Sequence, residues 1–507
     1  MHEVIDILER IRSRAGEPLT GGLSDSTILH FAARDDSLVA AIRAADEAFS
    51  TLQADFPGLP AKSEQEQALA VQADFVNFYP DDAINPYVAL TARGPWIVTT
   101  AGAVLHDDGG YGMLGLGHAP AAILEAMNQP HVMANVMTPS YSQLRLARAL
   151  HREVGQTRGG CPYARFLAMN SGSEAVTVGA RISDVNAKLE TDEGGRHAGR
   201  GIKHLSLAGG FHGRTGRPAR FSDSSRKTYA RFLASFRDSD DFWTVAPNDL
   251  DGLREIYARA ERENVFLEAF FLEPVMGEGD PGQAITPEFY RLARELTEAH
   301  GSLLLVDSIQ AGLRAQGVLS IVDYPGFENE ATPDMEAWSK ALNAGQYPLS
   351  VLAMNERAAG LYRKGIYGNT MTANPRAMDV ATAVLQAITP ELRSNIRERG
   401  KEFLAKLEAL AAELDGPITK VQGTGLLFSC ELSPDYKAFG AGSSEEYMRR
   451  HGVGVIHGGE RSLRFTPHFG IGEEEVNLVI DAVRDAVLNG PRARAAEPER
   501  KTANAGG

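Results

Sequence analysis

Leu303-Leu-Leu-Val-Asp307, followed downstream by Pro333-Asp-Met-Glu-Ala-Trp-Ser-Lys340-Ala-Leu342, is the stretch that decides the fold. The first run is apolar without polar alternation, the pattern of a strand buried on both faces, and it delivers a carboxylate at its C-terminal end. The second puts a lysine amine on an element of its own. Around them, helical patterns such as Tyr141 to Val154 and Pro287 to His300 alternate with short β-rich runs, including Phe166-Leu-Ala-Met169 and Phe270-Phe-Leu-Glu-Pro274. Strands separated by helices mean an α/β fold with a mostly parallel sheet flanked by helices. The ligand of such a sheet sits beyond the C-terminal ends of the strands. Asp307 and Glu273 fall at such ends.

At 507 residues, 43% hydrophobic and 23% charged, the chain has room for more than one domain and a large core. A net charge of -15 argues against a nucleic-acid partner or an anionic membrane surface, and leaves room for a local basic pocket holding one phosphate. Cys161 and Cys430 stand far apart, which supports neither a disulfide framework nor a cysteine-rich metal site and fits a reducing compartment. The N-terminus, Met1 to Arg12, alternates charged with apolar residues at helical spacing and lacks the apolar core of a signal peptide. No window approaches the roughly 18 apolar residues of a membrane span. The expectation is a cytoplasmic protein with no membrane partner.

Residues 1–75 read as a helical N-terminal extension, with Leu38 to Phe49 its clearest amphipathic stretch. Residues 76–140 read as the N-terminal part of a small domain and a linker. Trp96 to Asp107 there suggests two short strands around a turn, followed by the glycine-rich Gly109 to His118 and a helix starting near Pro120. The range 141–385 is assigned to the large domain and 386–490 to a smaller C-terminal α+β domain. A long helical stretch from Pro375 to about Leu414 leads into the latter, which closes with a helix near Glu473 to Leu488. The polar tail, 491–507, is expected to be disordered.

Asn170-Ser-Gly-Ser-Glu174 lies between a strand and the helical pattern Ala175 to Leu189. Its backbone N–H groups and the Ser173 hydroxyl can face a phosphate at a helix N-terminus; read as a simple cap, Ser173 would be the capping residue instead. Phe211, after the run His204-Leu-Ser-Leu-Ala208, can lie flat on a heteroaromatic ring or serve as a core aromatic. Glu273-Pro-Val-Met-Gly-Glu-Gly279 carries two carboxylates on a loop at a strand end, read as an active-site loop or a solvated turn, and Thr370 sits in a polar loop before a long helix, where it can donate to a phosphate or simply belong to a turn. A lysine amine and a strand-end aspartate are the groups needed to hold and activate pyridoxal phosphate. The lysine forms a Schiff base and the aspartate keeps the pyridine nitrogen protonated. His118 and His212 flank glycine loops, yet no His/Cys/carboxylate spacing indicates a metal, and no catalytic metal is expected.

Taken in order, Ser171-Gly-Ser-Glu-Ala175, Phe211-His-Gly-Arg-Thr215, Glu273 to Gly279, Asp307-Ser-Ile-Gln-Ala-Gly312, Ser339-Lys340-Ala-Leu342 and Gly368-Asn-Thr-Met-Thr-Ala-Asn-Pro375 resemble the class III (ornithine/GABA-type) aminotransferases of pyridoxal-phosphate fold type I. The resemblance covers roughly residues 80 to 490. It implies pyridoxal 5'-phosphate as cofactor, transfer of an amino group from a primary amine or amino acid to a 2-oxo acid or aldehyde, and a homodimer with a shared active site. It further implies that Lys340 carries the cofactor as a Schiff base and shuttles a proton between substrate and cofactor carbons. Asp307 would pair with the pyridinium nitrogen, Gln310 approach the ring hydroxyl and Phe211 stack on the ring. Gly172 and Ser173 would hold the phosphate, with Thr370 reaching it from the neighbouring subunit. A racemase, epimerase or aminomutase shares the carbanion chemistry on the same scaffold, and a non-catalytic cofactor-binding protein is the remaining reading.

Three positions depart from the family pattern. Ser308 stands where the family has Glu, Met276 where it has Gln, and Gln422-Gly-Thr-Gly-Leu426 replaces Arg-Gly-x-Gly-Leu. The guanidinium that many members use for the substrate α-carboxylate is therefore missing. Arg offers a carboxylate two charge-assisted hydrogen bonds in a planar fork, whereas the Gln amide is neutral. Amino-acid specificity does not carry over, and on this reading Gln422→Arg would favour α-carboxylate substrates. Glu278, whose partner in relatives can be that Arg, is left to face an amine or polyamine-like group, to pair with Arg464, or to stand in solvent. Arg464, in Ser462-Leu-Arg-Phe-Thr-Pro467, occupies a position near the substrate entrance or a structural salt bridge.

Overall fold

The computed structural model describes residues 2–493 apart from 81, 82, 84, 134, 135, 238 and 239, so residues 494–507 of the tail lie outside the described residues. In chain order the strands are β1 (Ala89–Arg93), β2 (Trp96–Thr99), β3 (Val104–Asp107), β4 (Arg165–Met169), β5 (Gly201–Leu207), β6 (Phe242–Val245), β7 (Val265–Leu272), β8 (Leu303–Asp307), β9 (Met335–Trp338), β10 (Ser350–Met354), β11 (Ile418–Thr424), β12 (Leu427–Leu432), β13 (Val453–Gly454), β14 (Ile456–Gly458) and β15 (Ser462–Phe465).

Seven of them form the central sheet in the order β4-β10-β9-β8-β7-β5-β6. Neighbours from β6 through β9 pair in parallel, while β10 runs antiparallel to both β9 and β4. Every residue of β7 and β8 is buried, as their largely apolar runs require, and the one charged residue inside β7, Glu268, is met by the Ser183 hydroxyl at 2.7 Å and by Arg217 at 3.0 Å. Successive side chains go to opposite faces. Phe271, Leu303 and Leu305 join Val176, Ala180 and Ile182 of the helix Gly172–Thr191. Phe270, Leu304 and Val306 instead meet Leu253, Phe289 and Tyr290 of the helices Leu250–Arg262 and Pro287–His300. Gly179 lets the first of these helices close on the sheet, since a Cβ there would sit 2.3 Å from Leu305 Cδ1.

The long helical stretch from Pro375 to Leu414 is two helices, Pro375–Ala387 and Pro390–Leu414. Pro390 has no N–H to give to the preceding turn, and Thr389 restarts the helix by accepting the Leu392 N–H at 3.2 Å. The second helix and Glu473–Asn489 cover an antiparallel sheet, β11-β12-β15-β14, through a stack of Phe403, Phe428 and Phe465. The first three helices, within residues 2–55, pack Leu8, Ile42 and Phe49 against Trp96 and Val98 of a third sheet, β1-β2-β3-β13. Asp35 accepts the Trp96 indole N–H at 2.5 Å. The N-terminal segment is thus a cover for that sheet. No helix of the described residues is long and apolar enough to cross a membrane.

Phe271 is fully buried and stacks on Phe221 at 4.2 Å. Phe271→Ala is expected to cost about 3–5 kcal/mol, through lost burial plus the cavity left behind. It would be read as a lower urea midpoint at matched protein concentration; an unchanged midpoint would show that this helix–sheet contact does not hold the large sheet together.

Candidate active site

Because β4, β5, β7, β8 and β9 run the same way, their C-terminal ends open at one edge of the sheet, and the loops leaving them surround a cavity of about 180 Å³. Lys340 and Asp307 both line it, as do Gly172, Ser173, Phe211, Gln310, Glu278 and Arg464. Gln422 and Thr370 do not.

Lys340 follows β9 and has a φ of 46°, a left-handed conformation that a non-glycine residue adopts only under constraint. The turn is held by Ser339, whose hydroxyl donates to the Leu349 carbonyl at 2.7 Å. The Lys340 amine donates to Gln310 Oε1. Burial, reinforced by the Arg464 charge, pushes the amine down to about 8, against the opposing pull of Glu278, Asp307 and Glu273.

Asp307 is fixed at both oxygens. Its Oδ1 accepts the Ile309 N–H at 3.1 Å, and its Oδ2 lies 2.9 Å from His212 Nδ1. His212, buried, carries its hydrogen on Nδ1 to make this bond. Glu273 ties two loops together by accepting the N–H groups of Phe211 and Gly277, each at 2.9 Å. Burial raises its carboxyl to about 7, although these bonds and His212 oppose the shift.

At the start of the helix Gly172–Thr191 the cap is Ser171. It accepts the Glu174 N–H while Glu174 reaches back to the Ser171 N–H in a capping box. Ser173 is therefore released from capping, and its hydroxyl faces the cavity with the first helical N–H groups beside it. Ser350, on the reversed strand β10, donates to the Ser171 carbonyl at 2.6 Å and anchors the turn from the other side.

The departures noted in the sequence find local answers. The Ser308 hydroxyl donates to Glu336 Oε1 at 2.5 Å, and Glu336 also receives Tyr163 OH at 2.6 Å, the Ile321 N–H at 3.0 Å and the Ser320 hydroxyl. Ser308 thus ties the loop after β8 to the buried carboxylate of Glu336 on β9. Glu278 pairs with Arg464 at 3.2 Å, and Arg464 also donates to the Gly277 carbonyl. Burial would raise the Glu278 carboxyl, but Arg464, Lys340 and Arg214 outweigh it and hold the pKa below the ordinary value. Gln422, outside the cavity lining, donates to Asp280 Oδ1 at 2.5 Å and to the Pro281 carbonyl at 3.0 Å. Thr370 is exposed, outside the cavity of its own chain.

Sequence reasoning left three residues without a role. His212 and Arg214 stood in plain view in Phe211-His-Gly-Arg214, but only the fold shows the His212–Asp307 contact. Arg214, 41% exposed, packs its guanidinium over Phe211 and reaches 3.8 Å from Glu278 Oε1. Glu336 reads as one more polar residue in a short strand, and nothing local announces its four partners.

The family described as aminotransferase class-III matches residues 79–487. The ornithine aminotransferase of Bordetella pertussis is 29% identical over 409 residues, covering 79% of this chain and 90% of that protein. Ornithine aminotransferase 2 of Staphylococcus saprophyticus is 28% identical, covering 79% of this chain and 93% of that protein. Among solved structures, the ornithine aminotransferase of Toxoplasma gondii superposes with a TM-score of 0.72 at 24% identity, over 86% of this chain and 98% of that one. The N-acetylornithine aminotransferase of Stenotrophomonas maltophilia gives 0.63 at 23% identity, over 83% and 98%. The chain belongs to the class III aminotransferases, pyridoxal-phosphate-dependent transaminases of fold type I.

Proposed function

We propose that this aminotransferase holds pyridoxal phosphate in the cavity at the β4, β5, β7, β8 and β9 ends, with Lys340 as covalent attachment point and proton carrier, and acts as a cytoplasmic homodimer. Its donor is a primary amine or amino acid and its acceptor a 2-oxo acid or aldehyde. The observation that carries this reading is the convergence of an amine, a fixed carboxylate and a helix N-terminus on one small cavity. The donor set fits the cofactor. Gln310 Nε2 is buried with no protein partner among the described residues and suits a ring oxygen. The helix start beside Ser173 suits a phosphate.

Bound there, pyridoxal phosphate supplies an aldehyde for amine capture and a protonated pyridine ring that draws off the electron pair of the broken Cα–H bond. Lys340, with its amine near 8, is partly unprotonated at neutral pH. It is therefore nucleophilic, and once released it takes or gives a proton at Nζ. Asp307 holds a proton at the ring nitrogen, and its fixed plane preorganises that contact. His212 positions Asp307 from behind. Phe211 offers a ring face, backed by Arg214.

Beside the cavity, Arg464 is buried and held by Glu278 and a carbonyl, whereas Arg214 is 41% exposed and only loosely paired with Glu278 at 3.8 Å, which makes Arg214 the guanidinium freer to receive a substrate carboxylate. A donor with a carboxylate remote from its reacting amine suits this arrangement, and the relatives named ornithine aminotransferases point the same way. The dimer is supported by exposed apolar residues gathered along Val132, Tyr141 and Leu144 and at Met371, next to Thr370.

Lys340→Ala is expected to lower turnover by about 1,000-fold or more and to remove the visible absorbance of the attached cofactor. In cofactor-free wild type, uptake of added cofactor should quicken as pH rises towards 8, where the amine loses its proton, and level off above it. An active Lys340→Ala enzyme would end this assignment. Arg214→Ala should raise KM for a carboxylate-bearing diamine donor about tenfold or more while leaving a carboxylate-free amine little changed; equal effects on both donors would remove the carboxylate role. Sedimentation of the holoenzyme should give the mass of two chains, and a monomer that retains full activity would exclude the shared site.

A further inference from the structure

We propose that His106, His468 and Glu475 form a zinc-type divalent cation site, separate from the cofactor cavity, that clamps the N-terminal sheet to the C-terminal helix. His106 lies on β3, His468 just after β15, and Glu475 in the first turn of the helix Glu473–Asn489. The Nε2 atoms of both histidines lie 2.9 Å from one oxygen, Glu475 Oε1. The three ligand atoms all lie within 4.8 Å of one another. Two imidazoles and one carboxylate are a zinc ligand set that leaves a position for water.

The surroundings are those of a ligand set held in place. His106 Nδ1 lies 2.8 Å from Asp108 Oδ2, the carboxylate–histidine arrangement that fixes a ligating imidazole with Nε2 turned to the metal. Glu475 is held by its other oxygen, which accepts the Gly472 N–H at 2.7 Å, so Oε1 stays between the two rings. His106 is fully buried, whereas the side chains of His468 and Glu475 are 17% and 14% exposed and give an ion a route from solvent.

The competing arrangement uses protons. An ionised carboxylate has no hydrogen to offer, so both Nε2 atoms would need one, and His106, which also donates from Nδ1, would have to be an imidazolium. A divalent cation replaces both hydrogens and leaves the two imidazoles neutral, with hard and borderline ligands suited to Zn²⁺. A chain of contacts runs from this cluster to the cavity. The Asp108 carbonyl accepts the Thr466 N–H at 2.8 Å, the Gly112 N–H donates to Thr466 Oγ1 at 3.2 Å, and a Cβ on Gly112 would lie 2.5 Å from Gln310 Nε2.

The test is calorimetric titration of holoenzyme, freed of metal by chelation, with zinc chloride, together with thermal melting. Wild type should bind about one Zn²⁺ per chain and melt at a higher temperature with the ion than with chelator. His468→Ala and Glu475→Gln should each weaken binding by about 100-fold or more, and Asp108→Asn by about 10- to 100-fold, with the cofactor absorbance retained. If either ligand variant fails to keep its cofactor, His468→Gln replaces it as the reporting variant. Absence of stoichiometric zinc uptake by wild type, or uptake undiminished in the ligand variants, overturns the proposal in favour of the proton-linked cluster, whether or not the enzyme transaminates.

Discussion

The common direction of β4, β5, β7, β8 and β9 is the constraint on which the rest depends. Parallel strands need helical crossovers, and those crossovers bury both sheet faces. The cavity then opens at the edge where these strands end. Five loops from distant parts of the chain meet there, carrying Ser173, Phe211, Glu278, Asp307 and Lys340. The reversed β10 fits this plan by starting where its neighbours stop, which lets Ser350 and Leu349 brace the turns at Ser171 and Ser339.

Much of the polar chemistry around the cavity serves to hold the residues that face it. Asp307 is fixed by His212 and the Ile309 N–H, Phe211 by Glu273, and the Asp307 loop by Ser308 on Glu336. These groups are buried, where an unpaired charge is costly, so each carboxylate is met by several donors. Such a shell limits the freedom of the groups that touch cofactor and substrate, the condition for electrostatic preorganisation.

The departures from the family pattern have physical counterparts nearby. Ser308 bonds to the buried carboxylate of Glu336 one strand away, and Gln422 donates to Asp280. Glu278 keeps a cationic partner in Arg464.

The alternation of apolar runs with helical patterns, and the order of six short motifs, were enough to reach the α/β fold, the family and the cofactor, because buried strands and phosphate-facing helix starts leave local signatures. The break at Pro390 was equally legible in principle, since a proline's missing N–H is a local fact, yet the helical periodicity on either side masked it. The capping box of Ser171 and Glu174 is a local pattern of the same kind, whereas the pairing of His212 with Asp307, that of Gln422 with Asp280 and the meeting of His106 with Glu475 across 369 positions were decided by tertiary structure alone. The reason is that a hydrogen bond between buried groups depends on distance and direction in space, and a sequence records the groups without recording which of them folding brings within reach.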